Sequence, residues 1–534
     1  MLNGDMMNCT NNLIGGKYVN LSGKYFTVQS QFYDDFNVLV ADSSNIDILV
    51  AISKTKGAWS ECQKMSFGER SAIIKEAAAR LVFSEEEITA IVKTLGTPIR
   101  YIREQVAQIP KIMRSFSVTI SKRYGIIEGR IGLDFIENKT FSKIEFRIAK
   151  KGLIYALTPG NDIRTTAVVS TISVLLGIPL IIKPSRTDNI IPLKITKAII
   201  EAGYPKNGLS VIFFNTDNPS SKKLNFKLCD EATVVWPFGD EETVDDSIRF
   251  ERIKLLEIEK ILKASGVPDA GEGIIKFLNN AQAKHNPLDA YMSEQTVDHF
   301  ASKIVLRHAS GRCAGILDSD FDLQRAAKLI MESSMEYPKS CSSMKSVFVV
   351  ETVFEKFIKI LKQEFEDLDR YVADPLKPKT KVGYVDKGTV SFLEKRIMEL
   401  KRLQLVSILH GGKKINQTQL TPILLSTSDI NSELLIKEIP GYILCLIEVG
   451  SFEEAVSQIN RISKDNPKLA VSYFTNNPNN MRLYINAHHV KINHTTTDLD
   501  GIIHEGNDYI MKLTRPYMVH VHKVDLKEHP YGHR

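Results

Sequence analysis

The chain has 534 residues, of which 43% are apolar and 25% charged, ordinary globular values with material for two or three packed domains. Its net charge of +6 is the small difference between 69 basic and 63 acidic residues, scattered along the chain, so neither nucleic acid nor an acidic membrane is implied as a partner. Six widely spaced cysteines, Cys9, Cys62, Cys229, Cys313, Cys341 and Cys445, form no C-x-x-C pair, which fits free thiols in a reducing compartment.

Residues 1–30 read as short strands punctuated by Gly15-Gly16 and Gly23. The N-terminus lacks a basic segment followed by an apolar run, so no signal peptide is read and a cytoplasmic protein is expected. From Ile46 to Gln105 the pattern is helical; within Ser66–Leu81, residues Ile73, Ile74, Ala77 and Leu81 share one face. Residues 131–150 alternate around Glu137-Asn138-Lys139 as a hairpin, either an oligomerisation arm or an edge of the same sheet.

A β-α-β-α-β series follows: strand Leu153–Leu157, helix Ile163–Leu176 closed by Gly177, strand Leu180–Ile182, helix Ile190–Ala202 closed by Gly203, and strands Val211–Phe214 and Thr233–Trp236. The most apolar stretch, Ile163–Ile182, is broken by Arg164, Gly177 and Pro179 and reads as helix then strand, not a membrane span. Alternating strands and helices imply a parallel sheet covered on both faces, with ligands at the carboxyl ends of its strands. The loops there are Thr158-Pro159-Gly160-Asn161 and Lys183-Pro184-Ser185-Arg186; the two cations of the second suit a phosphorylated cofactor or a solvated turn.

Residues 241–290 read as an insertion or a long surface helix. A second α/β series starts at Ile304–Leu306, passes the turn Ser310-Gly311 and the strand around Ile316-Leu317, and reaches Cys341. That cysteine lies between an amphipathic helix (Leu323, Ala326, Ala327, Ile330, Met331) and a buried strand (Ser346–Val350), among the small residues Ser340, Ser342 and Ser343. The local pattern suits a presented nucleophile, with a buried, inert thiol as the alternative. Val353–Phe365 and Phe452–Ile462 read as helices, Leu469–Phe474 and Tyr509–Val524 as strands. His520, His522, His529 and His533 read as strand and terminal residues, no metal site is expected, and Gly271-Glu272-Gly273 is too short for a dinucleotide fingerprint.

Asn161 in a Pro-Gly-Asn turn, Lys183-Pro184-Ser185, Cys341 between helix and strand, and Glu438-Ile439 with Gly441 occur in the order seen in the aldehyde dehydrogenase superfamily, which the chain resembles over nearly its whole length. Asp374-Pro375 with Thr380 and Gly383, Phe452-Glu453-Glu454-Ala455 with Asn460, Phe474-Thr475 and Ile492-Asn493 extend the match. The resemblance implies an α/β fold of two Rossmann-like parallel-sheet domains plus a β oligomerisation arm. Residues 1–130 and 151–303 would bind the nicotinamide cofactor, with 241–290 inserted. Residues 304–493 would carry the nucleophile, and 131–150 with 494–534 would form the arm of a homodimer or homotetramer.

By the same resemblance Cys341 adds to an aldehyde or acyl carbonyl and Asn161 donates to the oxyanion. Thr158, Pro159, Lys183, Ser185, Arg186, Gly239 and Glu438 would bind NADP or NAD, with Lys183 at the adenosine ribose and Glu438 at the nicotinamide ribose. Three departures shape the expectation. The Glu of the hydrolytic members' Leu-Glu-Leu-Gly-Gly-Lys stretch is replaced by His308 in Arg307-His308-Ala309-Ser310-Gly311-Arg312, a base candidate or a packed strand-end histidine. Arg186 stands where many NAD-preferring members have Glu and suits a 2′-phosphate. Trp236-Pro237-Phe238-Gly239-Asp240-Glu241-Glu242 replaces the Thr-Gly-Ser turn and is similar to the acyl-CoA reductase branch. The expected function is interconversion of an aldehyde and an acyl derivative through a Cys341 thioester, as an acyl-CoA reductase or a coenzyme A-acylating aldehyde dehydrogenase. The alternatives are an NADP-dependent hydrolytic aldehyde dehydrogenase and a non-catalytic structural relative.

Overall fold

The computed structural model describes residues 9–127, 129–136, 141–239, 244, 303–308, 311–497, 503–504 and 507–522. The hairpin turn Glu137-Asn138-Lys139, the carboxylates Asp240-Glu241-Glu242, the 241–290 insertion apart from Val244, the pair Ala309-Ser310, and the tail with His529 and His533 lie outside the described residues, as do the side chains of His520 and His522.

Seven strands form the first sheet, in the order Ile304–Val305, Val234–Pro237, Ile154–Thr158, Leu180–Pro184, Leu209–Val211, Asn12–Ile14 and Lys17–Val19. The first five run parallel, and the two N-terminal strands add antiparallel at one edge. Ile154, Tyr155 and Ala156, and likewise Leu180, Ile181 and Ile182, are wholly buried, so successive side chains on both faces meet apolar cover. Helix Thr165–Leu176 is apolar around most of its circumference because it lies inside this cover, and it stops at Gly177, whose φ of 67° is left-handed. Helix Phe67–Arg80 begins with a Ser66/Glu69 capping box and joins Ile99–Tyr124 in the same core.

The second sheet also has seven strands: Ser407–His410, Ile423–Ser426, Ile443–Val449, Met344–Val350, Cys313–Leu317, Lys468–Phe474 and Ala487–Ile492. All run parallel except the Ser407–His410 edge. A separate antiparallel sheet joins Ile126–Ile127, Arg130–Ile136, Phe141–Ala149 and Thr514–His522, the last strand pairing from Thr514 opposite Ala149 to His522 opposite Phe141.

Two expectations are corrected. Ile304–Val305 pairs with Val234–Val235, so it closes the first sheet, and the second begins at Cys313. A two-residue strand carries no sequence sign of which sheet will take it. Tyr509–Leu513 is a short helix, not the start of a strand: Asp508 caps it by accepting from Met511 N at 3.1 Å, and Tyr509, Ile510 and Leu513 then bury together in the first core.

Candidate active site

Loops adjoining the strands of both sheets meet around a cavity of about 1650 Å³. Thr158, Pro159, Asn161, Lys183, Ser185, Arg186, Gly239, His308, Cys341 and Glu438 all line it. Thr158-Pro159 and Lys183 reach it because the registered strands Ile154–Thr158 and Leu180–Pro184 end side by side, with Thr158 opposite Pro184. The loops beyond pack so closely that a Cβ on Gly160 would stand 2.1 Å from Thr187 Oγ1.

Cys341 lies in the turn between the π-helical segment Glu332–Glu336 and strand Met344–Val350. It is partly exposed toward the cavity, whereas Cys62, Cys229, Cys313 and Cys445 are buried. Burial pushes the thiols of Cys229, Cys313 and Cys445 up to about 12, which suppresses their thiolates. The Cys341 loop is clamped from distant parts of the chain. Asn161 Nδ2 donates to Lys339 O at 2.6 Å, and Lys339 Nζ donates to Leu95 O at 2.7 Å. Lys345 Nζ donates to Pro338 O and Gly441 O at 2.6 and 2.7 Å, while Thr496 Oγ1 donates to Ser342 O at 2.7 Å. Gly311 abuts the loop: its missing Cβ would fall 1.7 Å from Cys341 O. Burial acts to lower the pKa of Arg164, but the bidentate Asp162 carboxylate, with smaller help from Tyr337 and Cys341, raises it above the ordinary arginine value.

His308 is 3% exposed. Its ring stacks on Phe238 with centroids 4.4 Å apart, and Nε2 lies 2.9 Å from the hydroxyl of Tyr509. At the end of strand Leu180–Pro184, burial and then the neighbouring Arg186 pull Lys183 down to about 8. Arg186 Nη1 donates to Asp217 Oδ2 at 2.5 Å in an exposed pair. Glu438 accepts from Gly311 N at 2.7 Å, so it also braces the segment that follows His308.

A dinucleotide fits the residues present. The cavity ends in two cations at a strand terminus, and the buried Thr158 Oγ1 in its wall has no hydrogen-bond partner among the described residues. Among those residues no cluster suited to a metal ion occurs, and no helix is long and apolar enough to cross a membrane. Sequence reasoning missed Tyr509, Thr496, Thr497, Arg164 and Lys345. A lysine at the head of an otherwise apolar strand was a readable sign for Lys345; nothing in the sequence couples Tyr509 to His308.

A profile of the Aldehyde dehydrogenase family matches residues 19–224 and 293–506, and the chain belongs to that family, oxidoreductases acting on aldehydes with NAD or NADP. Among curated proteins it is similar to 3-sulfolactaldehyde dehydrogenase of Priestia aryabhattai, 22% identical over 428 residues, or 77% of this chain and 75% of that one. It is also similar to gamma-glutamyl phosphate reductase of Thermodesulfovibrio yellowstonii, 26% identical over 136 residues, or 26% of this chain and 28% of that one. Among solved structures, NADP-dependent glyceraldehyde-3-phosphate dehydrogenase from Bacillus halodurans superposes with a TM-score of 0.72 at 17% identity, covering 96% of this chain and 99% of that one. NAD-dependent aldehyde dehydrogenase from Sinorhizobium meliloti gives 0.74 at 18% identity, covering 97% and 96%. At these identities the superpositions speak for the fold.

Proposed function

We propose that the protein interconverts an aldehyde and an acyl thioester through Cys341, reducing an acyl-coenzyme A or, in reverse, passing the acyl group of an oxidised aldehyde to coenzyme A. The observation that carries this reading is the environment of His308. Hydrolytic members are expected to use a carboxylate here to activate water. This site instead holds an imidazole buried against Phe238, with Nε2 engaged by Tyr509, a poor setting for a water-activating base. The acyl group on Cys341 is then left for a stronger nucleophile, a thiolate.

Cys341 forms the bond to the carbonyl carbon. One amide hydrogen of Asn161 is held by Lys339 O, which fixes the side chain; the second is assigned, with the Cys341 backbone N–H, to the developing oxyanion. Lys183, Ser185 and Arg186 would hold the adenosine end of NADP or NAD, Thr158, Pro159 and Gly239 its middle, and Glu438 the nicotinamide ribose. When bound, the nicotinamide supplies or accepts the hydride. The partial likeness to gamma-glutamyl phosphate reductases, whose name describes reduction of an activated acyl group, supports the reductive direction.

Hydrolytic oxidation with NADP is the second reading, favoured by the longer match to 3-sulfolactaldehyde dehydrogenases. For assembly, the strand Thr514–His522, which ends the arm sheet, supports a homodimer or homotetramer joined there. Purified protein is to be assayed with NADP or NAD and short and long aldehydes, with and without coenzyme A. Turnover that requires coenzyme A is expected; equal turnover without it would transfer the assignment to the hydrolytic reading.

A further inference from the structure

Two neighbouring strands of the first sheet lead into aromatic rings. Val234–Pro237 and Ile304–Val305 run parallel, and just beyond them Phe238 and His308 still pair. His308 N donates to Pro237 O at 3.1 Å, and Gly239 N donates to His308 O at 3.2 Å. The shared register brings the two side chains together, with centroids 4.4 Å apart and ring planes 10° from parallel. The Tyr509 hydroxyl, 2.9 Å from Nε2, holds the imidazole at its rim.

Phe238 is half-buried and lines the cavity. Trp236 lies 6.0 Å from its ring and 6.4 Å from that of His308. With His308 stacked at 4.4 Å, these separations place Trp236 beside the phenyl ring and not over its second face. Among the described residues no other ring lies against Phe238. The stack sits at the nucleophile end of the cavity: Gly311, three residues after His308, donates its N–H to Glu438 at 2.7 Å and packs against the Cys341 carbonyl. Lys183 and Arg186 follow from a different strand, Leu180–Pro184, and Ile154–Thr158 runs between it and Val234–Pro237.

We infer that the outer face of Phe238, backed by His308, is the surface on which the nicotinamide ring of the cofactor stacks. The inference rests on the cofactor placement given above, with Lys183 at the adenosine end and Glu438 at the nicotinamide ribose. Offset stacking of flat rings is favourable beyond the area it covers. The face of a phenyl ring is also electronegative, and the oxidised nicotinamide is a cation whereas the reduced ring is neutral, so Phe238 holds the oxidised form more tightly. That difference tilts the bound equilibrium toward oxidised cofactor and aldehyde, the reductive direction. His308 here supports a ring and exchanges no proton.

The test is a set of dissociation constants for the full chain, measured by calorimetry. The probes are NADP+, NADPH and 2′-phospho-ADP-ribose, which lacks the nicotinamide; NAD+, NADH and ADP-ribose replace them if the protein prefers NAD. Phe238→Leu keeps an apolar side chain and removes the π face. It is expected to raise the Kd of NADP+ by about 3–10-fold and that of NADPH by about 2-fold or less, and to leave 2′-phospho-ADP-ribose unchanged. Phe238→Trp keeps a face and adds a reporter, and covers the case in which Phe238→Leu fails to fold. Its added emission is expected to be quenched by NADP+ and not by 2′-phospho-ADP-ribose. An unchanged Kd for NADP+ in Phe238→Leu, an equal loss for all three probes, or equal quenching by NADP+ and the analogue would overturn the stacking surface. Equal losses for NADP+ and NADPH would overturn the preference for the oxidised ring. Wild-type protein that binds none of the probes would instead overturn the cofactor reading.

Discussion

Two loops meet across the cavity and are built in opposite ways. The Lys183–Asp188 stretch is held mainly by itself and by the adjacent strand end: Ser185 N donates to Thr158 O, Asp188 N to Ser185 O, and Ser185 Oγ lies 3.1 Å from Thr187 Oγ1, and a long-range bond comes only just beyond it, from Asn189 Nδ2 to Thr10 Oγ1. Its outermost bond, Arg186 to Asp217, is exposed. The Tyr337–Ser343 loop is fixed from afar, with partners 178 residues away at Asn161, 244 at Leu95 and 154 at Thr496. The contrast matches what each loop would be asked to do under the proposed function. A cofactor loop presents charge and hydrogen bonds to a ligand that brings much of its own binding surface. A nucleophile has to be held within a fraction of an ångström of its target, and displacing it is costly in rate.

Breaking the second loop is therefore the larger perturbation. Lys345→Met removes both clamps on Pro338 O and Gly441 O and is expected to lower turnover on the order of 10–100-fold while cofactor binding, followed by fluorescence, stays near wild type. The same residue gives a pH signature. Burial holds Lys345 at about 7, against 10.5 for the ordinary side chain. Between those values the unfolded chain binds a proton that the folded chain does not, so this lysine makes stability rise with pH across that window. Denaturant unfolding at several pH values should show a weaker rise in Lys345→Met; an unchanged slope would mean that Lys345 is protonated in the fold.

Perturbing the first loop should be milder. Arg186→Glu breaks an exposed pair, so stability should change by about 1 kcal/mol or less. Selectivity should move from NADP toward NAD, because a carboxylate accepts from ribose hydroxyls and repels a 2′-phosphate. A constant ratio of the two kcat/KM values would remove Arg186 from cofactor choice. Asp217 sharpens the point: it occupies one end of the guanidinium, so a phosphate must compete with it.

The same contrast explains what the sequence could reveal. Both parallel sheets were readable because their strands are unbroken apolar runs, as in Leu180–Ile182 and Val347–Val350, separated by helices with clear stops such as Gly177. Locally, Cys341 between a helix and a strand reads equally as an inert thiol, and the Lys183–Arg186 charges as a solvated turn; only the order of the motifs along the chain points to both, and both line the cavity. Contacts closed only by the tertiary fold were not readable. Tyr509 and His308 are 201 residues apart, and their partnership depends on a chain reversal that has no local signature. The short helix Tyr509–Leu513 reads as strand in the sequence because a single capped turn is too brief to show helical periodicity beside the alternating strand that follows it.

The acyl-enzyme itself offers the most direct measurement. The protein is mixed with oxidised cofactor and an aldehyde in the absence of coenzyme A, and its intact mass is followed with time. A persistent adduct of one acyl group is expected, absent in Cys341→Ser and discharged when coenzyme A is added. Steady release of carboxylic acid with no adduct on the wild-type protein would contradict a thioester that waits for a thiol.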